Sequence, residues 1–80
     1  MDRDWNLLAD AILAAREEKG LTRHELALLA CVSPATVQGL ESGRELARLP
    51  RAIEHIEEAL GWQTGSAQII LVGGQPIPRG

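Results

Sequence analysis

Two helix-start signals stand close together in this chain, and they leave little freedom in what it can fold into. Thr22-Arg23-His24-Glu25 is a capping box, in which the threonine and the glutamate each satisfy a free backbone N–H of a first helical turn. Ser33-Pro34 repeats the signal: serine is a favoured cap, and proline at the first helical position loses no hydrogen bond. Between them Leu26, Ala27 and either Leu29 or Ala30 form an apolar face at helical spacing, and Cys31-Val32 breaks it. Val37 and Leu40 give the second helix its inward face, and Ser42-Gly43 stops it. Two helices joined by so short a turn cross at a steep angle, and the second is presented outward. Ala27 falls at their closest approach, where a larger side chain would push them apart.

The flanking sequence supplies what such a pair packs on. Trp5, Leu8, Ala9, Ile12 and Ala15 recur at helical spacing between Asp4 and Lys19, and Gly20 ends that helix. After a charged loop, Arg44 to Leu49, Pro50 opens a fourth helix with Ile53, Ile56, Ala59 and Leu60 inward and Gly61 as its stop. Its acidic run, Glu54, Glu57 and Glu58, reads as a solvated face. Thr64 to Val72 is ambiguous: Thr64 or Ser66 suits the cap of a short fifth helix, the favoured reading, while Gln68 to Val72 also suits a short strand. Gly73 to Pro78 fits neither a helix nor a central strand. The expectation is therefore an all-α domain of four to five short helices over residues 1–72, with 73–80 as a flexible C-terminal tail.

Composition narrows the function. Eighty residues make one small domain. With two Trp and neither Phe nor Tyr, its core must come from Leu, Ile, Val and Ala. The single Cys cannot form a disulfide within the chain, which points to a reduced, cytoplasmic setting. No apolar run approaches the roughly 20 residues that span a bilayer, and no signal-peptide pattern opens the sequence. His24, His55 and Cys31 lack a zinc-ligand spacing, so no metal is expected. There is no Ser/His/Asp set, no paired-carboxylate site and no phosphate-cradling glycine loop, so neither catalytic residues nor a cofactor are expected and an enzyme is disfavoured.

Several segments taken together resemble a known family. Leu13 to Thr22 runs into Glu25-Leu26-Ala27, then Cys31-Val32-Ser33, Thr36-Val37, Leu40-Glu41-Ser42-Gly43-Arg44 and Ala59-Leu60-Gly61-Trp62. In this order they are similar to the Cro/C1-type (XRE) helix-turn-helix DNA-binding domains of phage repressors and bacterial regulators. The ending from Gly61 to Pro76 is similar to small actinobacterial and actinophage regulators of that type.

The resemblance implies a lambda-repressor-like fold whose third helix enters the major groove of double-stranded DNA. Carried onto this sequence, the base-contacting positions are Pro34, Ala35, Gln38 and Gly39. Gln38 alone can bind bidentately, typically to adenine, while Pro34 and Ala35 suit a thymine methyl. Thr22, Arg23, Ser33, Ser42, Arg44, Arg48 and Arg51 are the implied phosphate contacts. The chain is expected to act as a transcriptional regulator, a small repressor or Cro-like protein of phage kind. A homodimer on a two-fold operator is expected, with Ile69, Ile70 and Val72 as dimer contacts. Cys31 departs from the family, which usually places Gly there because the residue is left-handed.

The net charge of −3 argues against a nucleic-acid partner until it is divided along the chain. Residues 23–51 hold four arginines against three glutamates and are the one net-positive third. A recognition helix thin in base-reading side chains and an acidic total motivate the alternative: a protein-interaction module on the same fold, binding a repressor, a sigma factor or a host protein.

Overall fold

The computed structural model describes residues 3–79; residues 1, 2 and 80, which belong to the expected domain and tail, lie outside the described residues. Five helices follow one another: α1 (Trp5–Glu18), α2 (Arg23–Ala30), α3 (Pro34–Glu41), α4 (Ala52–Ala59) and α5 (Ser66–Leu71). The expected all-α class holds, and the ambiguous segment is a helix.

Local chemistry sets most of the helix ends. Asp4 caps α1, its carboxylate accepting from the N–H groups of Asn6 (3.1 Å) and Leu7 (3.2 Å). Thr22 and Glu25 form the full capping box of α2, and Ser33 Oγ accepts from Thr36 N–H at 3.2 Å to start α3. At their C-terminal ends, α1, α2, α4 and α5 each fold back through paired N–H donors onto the last turn, around a left-handed residue. In α1, α4 and α5 that residue is glycine. In α2 it is Cys31, with φ 57°, the one non-glycine residue at positive φ among those described. The strain of a left-handed Cβ therefore sits at the turn between α2 and α3.

The core is aliphatic, as the composition requires. Leu8, Ile12, Leu26, Val37 and Ile56 are fully buried, and Trp5 and Trp62 belong to the same core at 6% exposure each. Ala27 is buried between α2 and α3, as its small size demands. Of the pair left open on α2, Ala30 faces inward while Leu29 is exposed beside Leu28.

Three features of the second half differ from expectation. Glu57 is not solvated; it is 1% exposed and its carboxylate accepts from Ala67 N–H at 2.8 Å. It therefore caps α5 from α4, where neither Thr64 nor Ser66 does so: the cap position is Gly65, with no side-chain bond of its own. Ile70 lies in the core at 2% exposure, so it is unavailable as a dimer contact; Ile69 is partly covered and Val72 exposed. Residues 73–79, expected to be a flexible tail, instead turn back along 61–66 as a strap. Gln63 N–H donates to the Ile77 carbonyl at 2.7 Å, and Arg79 N–H to the Gly61 carbonyl at 2.8 Å, flanking a Trp62–Pro78 antiparallel bridge. Ile77 N–H reaches Ser66 Oγ at 3.1 Å, and Arg79 Nε the Trp62 carbonyl at 2.6 Å. Alternation sends the N–H groups of 77 and 79 inward, and the outward positions 76 and 78 are both proline.

Candidate nucleic-acid interface

α3 shows solvent the positions expected to meet bases. Pro34, Ala35 and Gln38 are exposed and Gly39 is half-buried, while Val37 and Leu40 on the opposite face are buried. A Cβ built at Gly39 would lie 3.7 Å from the Arg44 guanidinium, an ordinary contact distance. The arginine after α3 thus folds back along the helix beside the exposed face, bringing a cation to a surface otherwise short of charge.

What holds α3 at this angle is a polar clasp. Arg16 on α1 binds Glu41, the last residue of α3, through two parallel bonds: Nε to Oε2 at 2.9 Å and Nη2 to Oε1 at 3.0 Å. Its remaining Nη1 donates to the Leu21 carbonyl at 2.8 Å, at the entry to α2. Arg23 on α2 adds Nε to Glu41 Oε1 at 3.2 Å. The Glu41 side chain is 1% exposed and that of Arg16 12%, so one carboxylate ties three helices together out of water. Hydrogen bonding to Glu41 raises the Arg16 pKa above its ordinary arginine value. Sequence reading gave neither residue a role. The signal was present: Arg16 stands four residues after Ile12, and Glu41 four after Val37, both on apolar stripes.

The expected phosphate contacts divide into groups. Thr22, Arg23 and Ser33 gather at the N-terminal ends of α2 and α3, where free N–H groups favour anions. Arg23 is partly committed to Glu41, although its side chain is still 53% exposed. Ser42 is exposed, but its one hydroxyl proton goes to the Gly39 carbonyl at 2.6 Å, so the residue closes the end of α3. Arg44 lies on α3, as described. Arg48 and Arg51 are exposed but line cavities on the α5 side, Arg48 with Arg3 and Val72, Arg51 with Glu54 and Gln68.

A clasp around one buried carboxylate, positioning an exposed α3 against α2, is the geometry of a unit that presents one helix to a groove. The sequence profile of the helix-turn-helix family matches residues 12–61, from the middle of α1 to the glycine after α4. The chain belongs to the Cro/C1-type (XRE) helix-turn-helix family. Like other XRE domains it is a DNA-binding regulator. Among solved structures, it is similar to the clp gene regulator ClgR from Corynebacterium glutamicum. One ClgR crystal structure is 30% identical with a TM-score of 0.67, covering 89% of this chain and 90% of that chain. A second is also 30% identical with a TM-score of 0.66, covering 86% of this chain and 72% of that one. No curated protein matches the sequence. The XRE profile stops at Gly61, so α5 and the strap lie beyond the part that defines the family. Among the described residues, no helix is long and apolar enough to cross a membrane.

Proposed function

We propose that the chain is a sequence-specific transcriptional regulator, a small repressor or Cro-like protein, that lays α3 in the major groove of an operator. The observation that carries this reading is the exposed row Pro34, Ala35 and Gln38 with Arg44 folded beside it, on a helix fixed by the Arg16–Glu41–Arg23 clasp. Gln38 reads an adenine edge, Pro34 and Ala35 contact a thymine methyl, and Gly39 allows close approach. Thr22, Arg23, Ser33 and Arg44 hold phosphates beside the groove, with Arg48 and Arg51 further along the backbone. One such domain makes few base contacts, so a homodimer on a two-fold site is the expected assembly, acting on cytoplasmic DNA. Val72 and the half-covered Ile69 remain available for the dimer contact; Ile70 does not. That the structurally similar ClgR is a gene regulator supports the same role here.

The test is selection from random duplexes at low salt, followed by Gln38→Ala on the enriched site. Enrichment of one motif, weakened by Gln38→Ala at one position of that motif, supports the reading. Absence of any enrichment overturns it. The second reading, a protein-interaction module, is favoured by Leu28 and Leu29, which stand 66% and 61% exposed side by side on α2. It predicts that Gln38→Ala and Arg44→Ala leave function intact.

A further inference from the structure

Arg3, near the start of the chain, lines a cleft with residues far from it in sequence. The start of α1, the loop after α3 and the outer side of α5 enclose about 390 Å³, lined by Arg3, Arg48, Leu49, Gln68, Leu71 and Val72. Among the described residues that line it, the polar side chains are two guanidinium forks and one amide. Among the described residues neither arginine is ion-paired, the salt bridges being those of Arg16 and Arg23 to Glu41. Glu54 and Glu57 line the adjoining cavity, which shares Leu49 and Gln68.

The cleft is built on fixed backbone. Asp4 N–H donates to the Leu71 carbonyl at 2.8 Å and the Asp4 side chain caps α1, so Arg3 departs from a pinned position. Leu71, at 2% exposure, gives a firm apolar floor. Asn6 packs against Gly43, which places the start of α1 beside the C-terminal end of α3. A guanidinium fork fits a pair of phosphate oxygens bidentately, and phosphate is the anion that a DNA duplex presents.

We propose that this cleft holds a backbone phosphate of the DNA duplex, gripped by Arg3 and Arg48 with the Gln68 amide as a further donor. The proposal rests on the DNA-binding reading above and extends it: the protein tracks the backbone past the end of α3 to α5. The experiment uses the full chain and its selected duplex, with binding measured over a range of salt. Arg3→Ala and Arg48→Ala are each expected to weaken binding equally on the selected and an unrelated duplex. Each should also lower the log–log salt slope by about 0.9. Arg3→Lys is expected to keep the slope, and Gln38→Ala to change sequence preference with the slope unchanged. If the unmodified chain binds no duplex, both this proposal and the DNA-binding reading fall. If it binds and Arg3→Ala alters neither affinity nor slope, the cleft assignment alone falls. Arg3→Ala that changes the molar mass in sedimentation while the slope stays constant also overturns it, assigning the cleft to a contact between copies.

Discussion

The two halves of this molecule are held by different means. In the first, α1 to α3, each helix starts on its own neighbouring side chain, Asp4, Thr22 or Ser33. In the second, α4 has no side-chain cap and α5 borrows one from across the fold, the carboxylate of Glu57. Each half also uses one buried glutamate, for opposite purposes. Glu41 gathers two arginines, and so balances its charge while fixing an angle. Glu57 receives a backbone N–H, and so fixes the start of a helix too short to be stable alone. Local caps let the first half specify itself from short sequence; the second depends on contacts that form only when α4 and α5 meet.

Four experiments would break or sharpen this contrast. Glu41→Ala should cost about 3 kcal/mol in urea unfolding, since it leaves Arg16 buried without its partner. It should also weaken DNA binding of the fraction that remains folded, because α3 loses its fixed angle. Glu57→Ala should cost about 2 kcal/mol, through an uncapped buried N–H at Ala67. Binding at α3, measured on folded protein, should be little changed, and an equal loss of affinity in both variants would erase the distinction between halves. Cys31→Gly should stabilise by about 0.5–1 kcal/mol, the relief of a left-handed Cβ outweighing the added chain freedom of glycine. A destabilised variant would show that the Cys31 side chain contributes more than its strain removes.

The smallest effect is one of pH. The Thr22 backbone N–H, then its hydroxyl, holds the Glu25 pKa below the ordinary carboxylate value. A lowered folded-state pKa gives stability that is present above the unfolded value and lost as pH falls through the folded one. Thermal unfolding of Glu25→Gln and the parent should therefore converge at acid pH and separate towards neutrality.

Much of the first half was legible in the sequence because its signals are local. The capping box and the Ser33-Pro34 start stand within a few residues of what they control, while the left-handed need at Cys31 follows from the family resemblance. The second half was harder to read. Glu57 was counted with its exposed neighbours Glu54 and Glu58, although its spacing from Ile53 and Leu60 puts it on the inward face. A charged residue on an apolar stripe is a request for a partner, and neither Arg16, Glu41 nor Glu57 was read that way. Ile70 shows the reverse case: an apolar residue near the chain end was reserved for another copy when this chain's own core needed it. The strap is not legible in the sequence because the two bonds that flank its bridge, Gln63 N–H to Ile77 and Arg79 N–H to Gly61, join backbone groups, which carry no residue-specific signal. At the interface, periodicity turns Val37 and Leu40 inward and the family resemblance supplies the exposed row of α3, whereas the cleft at Arg3 depends on how separate elements meet.

The prolines at 76 and 78 reach beyond the strap they belong to. An extended segment at a protein's margin ordinarily offers its free amide groups to any passing chain, and crowding turns that offer into fibres. Here the free side has no amide hydrogen to give at either outward position. A neighbouring copy that meets this side of the strap finds side chains there and no outward amide hydrogen at 76 or 78. Such contacts can be strengthened or removed one substitution at a time, so association between copies stays adjustable rather than running away into a filament.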